Sequence, residues 1–233
     1  MGAVAAALLV IAVPRAGLTQ DRPQDLSALS LDELANVETT TSTRTPTELS
    51  KVPAAVFVIT QEDIRRSGVT SVPEALRLAP GVQVARIDAN KWAIGLRGFG
   101  SRLSRAMLVM IDGRAVYTPL FAGTYWEAQD TLLEDIDRIE VVLGPGGTLW
   151  GANAVNGIVN IITKGASDTQ GMLVAADGGA EEQGAVRFRY GRKSGQESYF
   201  RMYGKFFNRD SLFQSDGSNF DDWRMGQAGF RAD

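Results

Sequence analysis

Carboxylates are the first place to look for chemistry in this chain, because two of the commonest catalytic side chains, cysteine and histidine, are missing. Its 233 residues include neither cysteine nor histidine. That excludes disulfides, thiolate catalysis, zinc fingers and imidazole bases. Asp112 and Glu140 remain as candidates for acid–base work in a small α+β hydrolase. No nucleophile–base pair accompanies them, and Asp112-Gly113 is better explained as a two-residue hairpin turn. Gly144-Pro145-Gly146-Gly147-Thr148 suggests a phosphate cradle, yet it lacks the Lys-Ser/Thr ending of a P-loop and does not follow the dinucleotide fingerprint. Its glycines read instead as turn and close-packing residues. A net charge of −3 with no basic stripe argues against a nucleic-acid partner.

The elements around these residues follow from periodicity and capping. Residues 3–13 (AVAAALLVIAV) form an apolar run too short to span a bilayer; it reads as a secretory signal or a buried helix. Residues 21–50 are polar, with a Ser30/Glu33 capping box predicting one helical turn over 30–36. The β-prone run that follows, from Val37 to Thr43, reads as a linker or as a strand added to another protein's sheet edge. Residues 54–60 predict a strand, and Thr60 with Asp63 predicts a helix running to Arg66 and ended by Gly68. Ser71 with Glu74 predicts a second capped helix, ending at Pro80-Gly81.

Strands are expected over 82–87, 93–97, 107–111 and 114–117. Thr131 with Glu134 should cap a short helix before a strand over 138–143. Asn156-Gly157 should turn the chain into a last strand over 158–163, with Asn153, Asn156 and Asn160 as turn residues. Interleaved short helices and strands over 51–165 read as a compact α+β domain. After Lys164 the period becomes two: Val186, Phe188 and Tyr190 alternate with Arg187 and Arg189, and Phe200, Met202 and Phe206 with Arg201, Tyr203 and Lys205. Membrane barrel strands carry that signature, as does any half-buried antiparallel sheet.

The order of motifs resembles the plug domain of TonB-dependent outer-membrane receptors. The carriers are residues 51–60 (KVPAAVFVIT), Gln61-Glu62-Asp63-Ile64, Pro73-Glu74-Ala75-Leu76, Pro80-Gly81-Val82, Leu96-Arg97-Gly98-Phe99, Ile111-Asp112-Gly113, Ile139-Glu140 with Gly144-Pro145, and Gly151 to Gly157. The resemblance implies an α+β plug, a small mixed sheet with short helices, followed by the first antiparallel strands of a transmembrane β-barrel. The corresponding divisions are a signal peptide at 1–20, a flexible segment at 21–50, a plug at 51–166 and the beginning of a barrel at 167–233.

The implied function is TonB-energised uptake of a ferric siderophore, cobalamin or similar chelate through the outer membrane, with the plug as a ligand-responsive gate in the barrel lumen, facing the periplasm. The implied partners are TonB, the small-molecule or metal-chelate ligand and outer-membrane lipid; no cofactor, metal site or catalytic residue is expected. Val37, Glu38, Thr39, Thr40 and Thr41 resemble the peptide to which TonB adds as a strand, so for that segment the resemblance favours strand addition. Arg97 is the expected anchor between plug and barrel, while the family's second arginine is replaced by Leu143. Asn90, Trp92, Arg102, Arg105, Tyr117, Phe121, Tyr125 and Trp126 are the expected ligand contacts. Barrels of this family have about 22 strands, and residues 170–233 allow about four. That mismatch leads to the expectation of a truncated receptor, with a free-standing periplasmic plug-like module as the alternative.

Overall fold

Thr60 and Asp63 start a helix as their spacing predicts. The Thr60 side chain accepts from the Asp63 amide, the Asp63 side chain accepts from the Thr60 amide, and the helix Gln61–Ser67 ends at Gly68 in the left-handed conformation. The computed structural model describes residues 38–233 apart from Ser42, Pro53, Gln214 and Asp216. The apolar run at 3–13, the expected turn at 30–36 and Val37 lie outside the described residues.

In chain order the first strands are β1 (Glu38–Thr39), β2 (Thr47–Glu48), β3 (Ala55–Thr60), β4 (Val82–Asp88), β5 (Lys91–Leu96), β6 (Met107–Ile111) and β7 (Arg114–Ala115). The remainder are β8 (Ile136–Leu143), β9 (Gly157–Thr163), β10 (Gly171–Asp177), β11 (Glu182–Lys193), β12 (Tyr199–Arg209) and β13 (Trp223–Ala232). They form a five-stranded sheet in the order β3-β8-β9-β6-β7, a four-stranded sheet β10-β11-β12-β13, and two pairs, β1-β2 and β4-β5. The described residues divide into two compact units. One holds the described residues up to Ile87 together with Lys91–Thr163, and the other holds Asp88–Asn90 with Lys164–Asp233.

The five-stranded sheet is mixed: β6 and β9 run parallel, and its other pairs are antiparallel. Ile59, Ile139 and Ile161 lie in register on one face, as do Val141 and Val159, and all five are fully buried. The opposite face has a smaller cluster of Leu108, Met110, Val142, Ala154 and Ile158, with Val56 and Trp150 packed on it. Farther along that face the apolar pattern stops at Glu140 and Asn160, which are direct cross-strand neighbours.

Several local expectations change. Asn156-Gly157 is not a hairpin turn: residues 144–156 join β8 to β9 and include a single helical turn, Gly147–Trp150. Gly157 instead permits close approach, since a Cβ there would lie 2.2 Å from the Val142 carbonyl oxygen. Asn160 sits inside β9 rather than in a turn. The short helix Val72–Ala75 has no side-chain cap from Ser71; Glu74 turns instead to Arg77 and to the Trp92 indole, 2.9 Å away. The turn Leu133–Asp135 is likewise uncapped by a side chain.

The four-stranded sheet is antiparallel throughout. Its register places Met172, Val174, Val186, Phe188, Met202, Phe206 and Phe230 on one face, where each is exposed. Arg187, Arg189, Arg201, Lys205 and Arg209 lie on the other. Arg187 pairs with Asp177 and Arg209 with Glu182. Alternation after Lys164 therefore builds a sheet with one apolar and one charged face.

Candidate functional site

A charge inside the run Ile-Glu-Val-Val of β8 is the feature around which the site forms. Glu140 has no exposed surface, and a buried carboxylate requires hydrogen bonds and a counter-charge. Four donors converge on it. The Thr39 hydroxyl donates at 2.6 Å, the Thr40 amide at 3.1 Å, the Thr41 amide at 2.9 Å and Arg138 Nε at 2.9 Å. Consecutive backbone amides aimed at one anion make a small anion-binding concavity. Burial pushes the Glu140 carboxyl up, but the bonds from Thr39 and Thr41 and the Arg138 charge outweigh it, leaving its pKa below the ordinary value.

The neighbouring residues complete the hold on residues 39–41. Asn160 Nδ2 donates to Thr41 Oγ1 at 3.1 Å. Asn160 Oδ1 accepts from the Gly113 amide at 3.3 Å, in the turn after β6. The Trp150 indole donates to the Thr41 carbonyl at 2.7 Å, and the Arg44 guanidinium stacks 4.4 Å from the Trp150 ring centre. Arg44 also donates to the Leu149 carbonyl. Thr39 and Thr41 are fully buried. Beside them opens a cavity of about 590 Å³, lined by Thr40, Arg44, Asp112, Gly113, Arg138, Trp150, Asn160 and Ile162.

Of the segment expected to couple to TonB, Thr39, Thr40 and Thr41 are thus brought together at Glu140. The backbone of Glu38 and Thr39 pairs with that of Glu48 and Thr47. The residues that grip this segment, Glu140, Asn160 and Trp150, are not among those the sequence singles out for coupling. The available signal was a single acidic residue within an apolar strand, since carboxylates are almost never fully buried unless paired.

Arg97 is exposed, has a positive φ of 56° and donates to the Leu143 carbonyl at 3.2 Å. It therefore reaches the position at which the resemblance anticipates a second arginine. Asp112 also has a positive φ, and its carboxylate accepts from the Thr163 amide and hydroxyl at 2.7 and 2.8 Å. That is a structural role, not an acid–base one. The amides of Gly144 and Gly146 are taken by the carbonyls of Asn156 and Ala154, so they are not arranged as a phosphate cradle.

The expected ligand contacts separate into core and surface. Trp92 is 2% exposed, with its indole committed to Glu74, and Trp126 is 3% exposed. Burial leaves neither ring a face for a ligand, which corrects the expectation for both. Arg102 pairs with Glu127 at 3.0 Å and lies 5.9 Å from the Tyr125 ring, which meets Phe121 edge-on at 5.5 Å. Phe121 and Arg105 are exposed and Tyr117 is half-buried. The Asn90 amide donates to Asp88 at 3.0 Å.

Compared with known proteins, residues 48–158 match the family model of the TonB-dependent Receptor Plug Domain. The chain is 26% identical over 168 residues to the vitamin B12 transporter BtuB of Vibrio vulnificus, covering 71% of this chain and 27% of that protein. It is 34% identical over 135 residues to the ferric enterobactin receptor PirA of Pseudomonas aeruginosa, covering 52% and 18%. The ferric yersiniabactin uptake receptor FyuA from Yersinia pestis shares the fold, with a TM-score of 0.58 at 20% identity over 85% of this chain and 30% of that one. The chain spans no more than about a quarter of the length of these curated relatives (27% of BtuB). They are transporters and receptors rather than enzymes, and a Vibrio cholerae relative is named as an outer-membrane protein.

Proposed function

Residues 48–158 are a TonB-dependent receptor plug domain, and from that premise we propose that the chain serves TonB-energised uptake of a scarce chelate across the outer membrane. The cargo class is a ferric siderophore, cobalamin or a similar chelate, following the names of its relatives. The plug acts as the gate, and residues 37–41 are the segment to which the periplasmic domain of TonB adds as a strand. The observation that carries this reading is the attachment of Thr39–Thr41 to the plug sheet through Glu140. A segment held by a few specific bonds can be handed over to a partner without unfolding the sheet beneath it.

Ligand contact is assigned to Asn90, Arg102, Arg105, Tyr117, Phe121 and Tyr125. Aromatic and arginine side chains supply large contact areas with few rotors. Plug anchoring is assigned to Arg97, whose planar, permanently charged guanidinium suits carboxylates.

The test is binding of the TonB C-terminal domain to the full chain and to a form lacking residues 37–41. Binding should be lost with the deletion. Equal binding by both forms would place the coupling segment elsewhere.

A further inference from the structure

Two glycines interrupt the apolar face of the β10–β13 sheet. Gly204 in β12 lies opposite Phe188, and Gly226 in β13 lies opposite Phe206. Glycine weakens a strand interior and often marks a place where a ligand or another backbone comes close. Neither residue has a positive φ. The nearest atom that a Cβ would meet lies 3.8 Å away at Gly204 and 3.9 Å away at Gly226, which is ordinary contact. Backbone conformation and packing within the sheet therefore do not call for glycine at either position. What the missing side chains leave is a groove of about 460 Å³, with Gly204, Gly226 and Ala228 along it and Val186, Phe188 and Phe206 as its walls.

Strand register fixes what stands at each end of this groove. Toward the β12–β13 loop, the next residues on the same face are Asn208 and Arg224, which are direct cross-strand neighbours. Arg224 is exposed and has no ion pair among the described residues. At the other end stand Met202 and Phe230, also paired and exposed. From Arg224 to Phe230 the strand covers about 20 Å.

We infer that the groove seats one acyl chain of a phospholipid whose phosphate meets Arg224. The site presupposes that this face meets the outer membrane, as the proposed function has it, and adds a fixed lipid position to that face. An apolar trough walled by two phenylalanines removes a hydrocarbon chain from contact with anything polar. The guanidinium at its end is planar, permanently charged and able to fork onto phosphate oxygens. A second copy of this chain would cover the trough but bring Arg224 no anion from the same apolar face, whereas a phospholipid supplies chain and charge together.

The experiment extracts the full chain from dipalmitoyl-phosphatidylglycerol vesicles with mild detergent and measures the lipid retained per chain by mass spectrometry. Gly226→Leu and Gly204→Leu fill the groove from two different strands, so one decides the matter if the other does not fold. Each should lower retention at least about fivefold, while Ala176→Leu, on the same face outside the groove, should leave it at the parent level. Arg224→Gln should lower the preference for phosphatidylglycerol over dipalmitoylglycerol, which has the same chains without phosphate, by about fivefold. Retention that is unchanged in both glycine variants overturns the groove. An unchanged preference in Arg224→Gln overturns the phosphate contact. A parent chain that is dimeric in detergent and becomes monomeric in Gly226→Leu overturns the lipid in favour of a second copy. Failure of the underlying membrane reading shows separately, as a parent chain that does not float with the vesicles at all.

Discussion

At the residue scale, the ionisation of Glu140 sets when residues 39–41 are held. Its pKa in the folded chain lies below the ordinary glutamate value, because bonds from Thr39 and Thr41 and the charge of Arg138 outweigh burial. A carboxyl depressed on folding contributes stability that is fully present above its unfolded pKa. That contribution is lost as pH falls through the folded value. The charged groups around it are Arg138, itself paired with Asp137, and Arg44 and Asp112 on the cavity wall. The clasp is therefore expected to persist through neutral and mildly acidic solution and to open only at a pH below the ordinary glutamate pKa. Trp150 reports this, since its indole bonds Thr41. The Trp150 fluorescence, isolated by difference against Trp150→Phe, should titrate with a midpoint below the ordinary glutamate pKa and stay flat in Glu140→Gln. A midpoint at or above that value would contradict the assignment. Arg138→Ala removes the counter-charge and should move the midpoint upward.

At the scale of elements, β8 and β9 present the clasp, and their close pairing depends on Gly157. A Cβ at that position would lie 2.2 Å from the Val142 carbonyl and 2.4 Å from Leu96 Cδ1. Backbone cannot yield as a flexible side chain can, so Gly157→Ala is expected to destabilise the domain by about 1–3 kcal/mol, read as a lower denaturation midpoint. Thr60→Ala, which removes the helix cap, should cost about 1 kcal/mol. The Thr60–Asp63 cap and the Asp112-Gly113 turn were legible in the sequence because each rests on residues within a few positions of one another. The grip on Thr39–Thr41 was not, because its partners lie about 100 residues away. Ser71 and Glu74 show the limit from the other side: local spacing offered a capping box, but tertiary partners at Arg77 and Trp92 took the carboxylate. Trp92 and Trp126 looked like binding aromatics in a linear reading, since only three-dimensional packing shows that their rings face inward.

At the scale of the molecule, the β10–β13 sheet has two unlike faces, one apolar and one charged. In water, an exposed row of Met172, Val174, Val186, Phe188, Met202, Phe206 and Phe230 is unfavourable, because soluble proteins rarely show contiguous apolar patches of this extent. In lipid the same row is the favourable side, and β11–β13, at 10 to 12 residues, have the length of membrane-crossing strands. The outer-membrane reading therefore makes an asymmetric prediction. Arginine introduced on the apolar face costs about 2–4 kcal/mol at the middle of a bilayer, whereas the opposite face already holds Arg187, Arg189, Arg201, Lys205 and Arg209. Phe206→Arg should reduce co-flotation of the full chain with phosphatidylcholine vesicles, and Met225→Arg, the same kind of change on the charged face, should leave it nearly unaltered. The register makes the comparison clean, since Phe206 pairs with Gly226 and Met225 with Phe207, adjacent rungs of one strand pair. Equal flotation of both variants and the parent chain would mean that the apolar face meets something other than lipid.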